Sequence, residues 1–159
     1  MNRISVLLCG NAAVFDGMVI CTLSIVKHHR APLDLYVFTM DLSDMNPAYR
    51  PVTAEQCDLL ASILREANPA SRVRLVDCRS YYLETLADAP NQTTQYTPYS
   101  FLRLYADRVP EMPPKLIYLD TDTVLCDDIA KLWAEDLGQA EFGAVRDYYG
   151  CHFFGINYL

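Results

Sequence analysis

The run Lys115-Leu116-Ile117-Tyr118-Leu119-Asp120-Thr121-Asp122-Thr123-Val124-Leu125 constrains this chain more than any other stretch. Mostly apolar residues lead into two carboxylates one residue apart, and an apolar pair follows. A short apolar run of this length reads as a buried strand. In an open α/β sheet, ligands collect outside the carboxyl ends of such strands, so the run delivers Asp120 and Asp122 to the place where a site would form. In extended backbone, residues i and i+2 share a face. Both carboxylates would then approach one hard divalent cation, which prefers oxygen ligands. The competing reading is a polar turn after a strand, since Asp is common in turns. The apolar residues on both sides weigh against it, because two carboxylates this close to a core are costly without a positive partner.

The chain has the size of one domain at 159 residues. It is 52% hydrophobic and 21% charged, enough to bury a core and too apolar for disorder. A net charge of -7 argues against nucleic-acid binding, which draws on basic patches. It leaves room for a phosphorylated small molecule held through a metal ion. Eleven tyrosines, clustered late in the chain, suit sugars and bases as well as an ordinary core rim. The six cysteines form no Cys-x-x-Cys pair, so zinc is not expected. Most of them lie in apolar segments, as buried free thiols do. The expectation is a reduced, cytoplasmic protein. The apolar start Ile4–Leu8 is too short for a signal peptide, and Met18–Val26 is too short to span a bilayer. Asn91-Gln92-Thr93 fits the N-glycosylation pattern, with nothing else pointing to secretion.

Read in order, residues 4–9 form a first buried strand, broken by Gly10-Asn11. Asp16 is expected to cap a helix running to about His29, with Val19, Leu23 and Val26 as its stripe. His28 and His29 read as a solvated helix end. Leu35–Phe38 is a second strand. Thr53-Ala54-Glu55-Gln56 is a capping box opening a helix with Leu60, Ile63, Leu64 and Ala67 on one face. Residues 73–76 form a third strand and residues 79–86 a short helix or turn. Residues 87–98 read as a mobile polar loop. Tyr99, Leu102 and Ala106 recur at helical spacing, with Arg103 one position off that stripe. After the central strand, residues 129–133 form a short helix capped by Asp127 or Asp128, and Phe142–Val145 is expected to be a further strand. The alternation β-α-β-α-β is that of a layered α/β domain with a mostly parallel sheet flanked by helices. The tail, Cys151 to Leu159, is aromatic and apolar, and domains seldom stop on such a run. The chain therefore reads as cut within a domain, with an apolar end through which copies could associate.

Four blocks together resemble the family 8 glycosyltransferases, the LgtC-like and glycogenin-like enzymes with a GT-A fold. Leu8-Cys9-Gly10-Asn11-Ala12-Ala13-Val14-Phe15-Asp16-Gly17 resembles their nucleotide-binding start, and Phe101-Leu102-Arg103-Leu104-Tyr105 their Arg-Leu helix. Tyr118–Leu125, followed by Leu132-Trp133 and Asp136-Leu137, is similar to their Asp-x-Asp segment, and Gly143–Asp147 continues it. Asp-x-Asp alone is a weak signal; the four blocks in order cover essentially the whole chain. The resemblance implies a GT-A-like Rossmann sheet over residues 1–159, the N-terminal portion of a longer nucleotide-sugar-binding domain. It implies a retaining transfer of a sugar from a nucleotide-sugar donor, usually a UDP-sugar, to a saccharide or lipid-saccharide acceptor. Asp120 and Asp122 would hold Mn²⁺ or Mg²⁺ on the diphosphate, with Thr121 between them in the donor site. Arg103 would meet the donor sugar or phosphates with its planar fork, the alternative being a surface salt bridge. Cys9, Gly10 and Asn11 would edge the base, and Asp147 would lie near the sugar or acceptor.

Two departures from the family pattern stand out. Ala12 and Ala13 replace a pair that is often polar or charged. The Asn-x-Gly-Val strand, the acceptor-side acid and the late His that completes the metal ligands do not occur within these residues. This opens a second reading, a donor-binding module without turnover. A third is a haloacid-dehalogenase-type phosphatase, whose nucleophile motif also places two Asp after an apolar strand. That family puts a lysine well downstream of the motif, and here no lysine follows Lys131.

Overall fold

A computed structural model of the chain describes residues 3–88 and 97–145. Strands β1 (Ile4–Cys9), β2 (Leu33–Thr39), β3 (Arg72–Asp77) and β4 (Ile117–Tyr118) form one sheet in the order β3-β2-β1-β4. Every pairing is parallel, with Val6 opposite Leu35 on one side of β1 and opposite Ile117 on the other. Helices α1 (Phe15–His28), α2 (Ala54–Ala67), α3 (Arg79–Thr85) and α4 (Ala130–Trp133) connect and flank the strands. The expected parallel α/β layering is the one observed.

Alternation along the strands sorts the core into two layers. Ile4, Val6 and Leu8 of β1 and Leu33, Leu35 and Val37 of β2 pack with Met18, Cys21 and Ile25 of α1 and Leu60 and Leu64 of α2. Leu7, Cys9, Tyr36 and Phe38 face the other way, onto Tyr82 of α3 and onto Tyr99, Leu102 and Tyr105. All six residues of β1 are buried, as a strand covered on both faces requires. The edge strand β3 has no buried residue and carries exposed Arg72 and Arg74, charges that discourage pairing with another edge.

The capping box of α2 is formed in both directions: Gln56 N–H donates to Thr53 Oγ1 at 3.3 Å, and Thr53 N–H to Gln56 Oε1 at 2.9 Å. Leu60 and Leu64 are buried on the expected face, with Ile63 and Ala67 at its margin.

Several expectations are corrected. Asp16 lies in the first turn of α1 but does not cap it; a short 3-10 turn at Ala12–Val14 leads in, with no side-chain cap. The buried stripe is Met18, Cys21, Thr22 and Ile25, and Leu23 is exposed. Apolar residues surround this helix, so periodicity could not single out its face. Thr22 and Ser24 tolerate burial because their hydroxyls donate to the Met18 and Cys21 carbonyls at 2.7 Å. His29 is buried, not solvated, and its Nδ1 meets Asp128 Oδ1 at 2.8 Å. That same Asp128 oxygen accepts the Ala130 N–H at the start of α4, but the cap position itself is Ile129, so neither Asp127 nor Asp128 occupies it. Residues Pro98–Tyr105 form a 3-10 helix, whose three-residue turn puts Tyr99, Leu102 and Tyr105 on one buried face and leaves Ala106 at the margin. Phe142–Val145 is not a strand. It has no pairing partner among the described residues, and Phe142 and Val145 are 79% and 91% exposed. Cys9, Cys21, Cys57 and Cys78 are buried free thiols, but Cys126 is exposed. Burial pushes Cys21 and Cys57 up to about 11 and Cys78 up to about 12. Most of the expected mobile loop, and the whole apolar tail with its proposed contact between copies, lie outside the described residues.

Candidate donor site at the switch point of the sheet

The chain lays β1, β2 and β3 outward in one direction and then returns to place β4 on the other side of β1. Such a reversal opens a crevice at the carboxyl ends of the two strands it separates. The segments leaving β1 and β4 enter that crevice together. Gly10 N–H donates to the Phe38 carbonyl and Ala12 N–H to the Arg50 carbonyl, each at 3.0 Å. The first carries the β1–β2 ladder one step past Cys9, and Asn11, which lies between the two, is buried. The Asn11 amide faces the Tyr99 hydroxyl, which itself donates to the Met40 carbonyl at 3.0 Å. Burial first, and the Asp41 charge next, push the Tyr99 phenol up to about 12.

On the β4 side, Leu119 N–H extends the ladder onto the Leu7 carbonyl at 3.1 Å. The backbone then turns, with Thr123 N–H donating to the Asp120 carbonyl at 3.1 Å. Asp120 and Asp122 therefore occupy one tight turn, and the extended geometry expected to align them ends before they are reached. Both are exposed, so the core penalty expected for them does not arise. The contact that does form lies one step earlier, where the Tyr118 hydroxyl donates to Asp120 Oδ1 at 2.5 Å. Burial, reinforced by this bond to a carboxylate, holds the Tyr118 phenol far above its ordinary range.

Thr121 is the packing member of the triplet. A Cβ on Gly17 would stand 2.5 Å from the Thr121 carbonyl oxygen, and one on Gly10 would meet the Thr121 methyl at 3.8 Å. The first turn of α1 thus abuts the acidic turn with no room for a side chain at Gly17.

Arg103 reaches the same place from the 3-10 helix. Its Nε donates to the Ser100 carbonyl at 2.9 Å, its guanidinium lies 4.8 Å from the centre of the Tyr118 ring, and its Nη1 is 3.6 Å from Asp120 Oδ1. The salt bridge weighed for Arg103 is real, and its partner is the first carboxylate of the site. The Cys9 thiol lies beneath; burial and nearby Cys78 push it up, Arg103 draws it down, and Asp120 raises it again. A groove of about 320 Å³ runs past Ser100, Phe101, Arg103 and Leu104.

Of the residues expected in the site, Cys9, Arg103 and Asp120 converge, with Gly10 and Thr121 packed beside them and Asn11 one step along the rim. Asp122 sits on the same turn facing solvent. Asp147 lies outside the described residues. Tyr118 and Gly17 were not expected to have site roles. The two-residue spacing from Tyr118 to Asp120 was the available signal for the first, and nothing local marks the second. Two exposed carboxylates on one turn suit a hard divalent cation in donor chemistry. Among the described residues no third His, Cys, Asp or Glu joins them in a metal-holding group.

The sequence matches the profile of the family described as glycosyl transferase family 8 over residues 5–156. Among curated proteins it resembles probable galacturonosyltransferase-like 6 of Arabidopsis thaliana, 28% identical over 129 residues, covering 80% of this chain and 34% of that protein. Probable galacturonosyltransferase-like 5 of the same plant is 26% identical over 134 residues, covering 80% of this chain and 33% of that protein. The chain thus spans about a third of the length of these relatives. Among solved structures, galactosyltransferase LgtC in complex with donor and acceptor sugar analogues superposes with a TM-score of 0.62 at 15% identity, covering 85% of this chain and 44% of that one. The apo form of glycosyltransferase GlyE of Streptococcus pneumoniae superposes with a TM-score of 0.61 at 21% identity, covering 96% and 31%. These likenesses show a GT-A-like α/β fold. The phosphatase reading of Asp120 and Asp122 is not carried forward, since the matched family is a glycosyl transferase one.

Proposed function

The chain belongs to glycosyl transferase family 8, and we propose that residues 1–159 are the nucleotide-sugar-binding portion of a retaining hexosyltransferase. The donor is a nucleotide-sugar, a UDP-sugar by preference, and the acceptor a saccharide or lipid-saccharide. One observation carries this reading: Cys9, Arg103 and Asp120 meet at the switch point between β1 and β4, where an α/β sheet binds nucleotides.

Asp120 and Asp122 hold Mn²⁺ or Mg²⁺. Bound there, the ion supplies Lewis-acid neutralisation of the charge that builds on the departing diphosphate. Arg103 offers its planar fork to the same phosphates. It already lies beside Asp120, so cationic and anionic halves of the site are preassembled around one point. Asn11 and the backbone of Cys9 and Gly10 edge the base, and Thr121 keeps the acidic turn seated on α1. Asp147 serves the sugar or the acceptor. A cytoplasmic setting, peripheral to the inner membrane if the acceptor is lipid-linked, fits the buried free thiols. Among the described residues no helix is long and apolar enough to cross a membrane.

A second reading, donor binding without turnover, draws on the lack of a third metal-holding residue among those described. Calorimetric titration of UDP with and without Mn²⁺ tests the binding shared by both. We expect Mn²⁺-dependent binding that Asp122→Asn abolishes; unchanged Mn²⁺-dependent affinity in that variant would remove the metal assignment. Release of free sugar or product from a UDP-hexose then separates an enzyme from a binding module.

A further inference from the structure

We propose that Tyr118 is a positioning residue of this site: its hydroxyl fixes the Asp120 carboxylate and its ring carries the Arg103 guanidinium, so one side chain holds the acidic and basic halves in register. The inference rests on the donor-site reading above.

Asp120 and Arg103 need such a template. Their side chains are 62% and 41% exposed, and their charges stand 3.6 Å apart. A pair that open to water gains little and holds neither partner in one geometry. Tyr118 is different. It is half-buried and packs with the layer that contains Leu7, Cys9 and Tyr105. Its backbone is Leu7's partner in the ladder, and the next residue, Leu119, adds a further bond to β1. A tyrosine has few rotatable bonds, so a ring seated this way is a stiff arm. It donates to Asp120 Oδ1 at 2.5 Å, the short distance typical of a hydroxyl on a carboxylate. Its face lies under the guanidinium at 4.8 Å, within cation–π range. Among the described residues no hydrogen bond or ion pair falls on Oδ2. One oxygen of Asp120 is thus held by the protein and the other is left to a ligand. If Tyr118 were only a core aromatic, its ring would suffice and its hydroxyl would be dispensable.

The test is titration of UDP, with and without Mn²⁺, into the 159-residue chain and its Tyr118→Phe, Asp120→Asn and double variants. Phenylalanine keeps the ring and its packing, so circular dichroism should not move, and the unfolding midpoint should fall by no more than the loss of one hydrogen bond to an exposed partner. Tyr118→Phe should weaken Mn²⁺-dependent UDP binding about ten- to a hundredfold, the loss of one hydrogen bond to a charged group. Its Mn²⁺-free affinity should stay as in the native chain. In the Asp120→Asn background the Tyr118 effect should vanish, because the two residues act as one unit. If Tyr118→Phe binds like the native chain while Asp120→Asn loses its Mn²⁺ dependence, the positioning role is overturned and the donor site stands. An equal Tyr118 effect with and without the Asp120 carboxylate also overturns it, since the action then does not run through Asp120. Mn²⁺-dependent binding that survives Asp120→Asn, or none in the native chain, brings down both readings.

Discussion

Asp120 takes up its place in the candidate site by a geometry other than the expected one. Alternation along an extended strand was expected to align Asp120 with Asp122, but the strand ends at Tyr118 and both acids lie in the turn that follows. What meets Asp120 is Tyr118, the last residue of the strand, through its hydroxyl. Gly17 makes the complementary point. It was legible only as part of a family-like string, yet its missing side chain is what lets the acidic turn sit on α1. We expect Gly17→Ala to push the Thr121 backbone outward, because the new methyl would stand 2.5 Å from a carbonyl oxygen that has no rotamer to give way. Such overpacking costs about 1–3 kcal/mol. Urea unfolding should show that loss, and UDP titration should show weakened Mn²⁺-dependent binding in the same variant. A native-like midpoint with native-like binding would mean that the turn is not seated by this contact.

Among the elements, α1 does more than cover the sheet. Along its length Gly17 meets Thr121, the Ser24 hydroxyl accepts the Leu125 N–H at 2.9 Å, and the buried His29 that follows the helix bonds Asp128 at 2.8 Å. The chain leaving β4 is therefore fastened along this helix from the acidic turn to the start of α4. None of these links could be read from periodicity, since each joins residues about a hundred positions apart. Local chemistry was far more legible. The α2 capping box is a four-residue signal, and both of its hydrogen bonds are present. Thr53→Ala removes the acceptor for the Gln56 N–H, and about 1 kcal/mol of stability should go with it. Thr53→Ser should restore most of that loss, and both are read from the urea midpoint. An unchanged Thr53→Ala variant would show that water serves the helix end as well as the threonine does. The 3-10 helix lies between these extremes: the apolar spacing announced a helix, but only its packing on β1 and β2 selected the tighter turn.

For the molecule as a whole, β1 is the hub. It lies inside the sheet between β2 and β4, sends alternate side chains to both layers of the core, and opens into the site at its carboxyl end. Leu8 is fully buried there and Leu23 on α1 is 48% exposed, although both are leucines in apolar segments. Leu8→Ala should cost about 2–5 kcal/mol, through lost burial and the cavity left behind. Leu23→Ala should stay within about 0.5 kcal/mol. Denaturant midpoints of the two variants, compared with an unchanged slope, check the difference. Equal effects would mean that the assigned layers are wrong.

The sequence by itself determined four of the five expected strands, the order in which helices follow them, and the cap of α2. These follow from hydrophobic periodicity, from short-range hydrogen-bonding chemistry, and from motifs whose spacing is local. The tertiary structure alone decided which face of α1 is buried, that His29 is inside, that Phe142–Val145 forms no strand, and that Arg103 stands on Tyr118 beside Asp120. Each of those outcomes depends on which surfaces meet across the sheet. A strand needs a partner, a buried polar group needs its bond, and a close approach needs an absent side chain, and in every case the other half of the contact lies far along the chain.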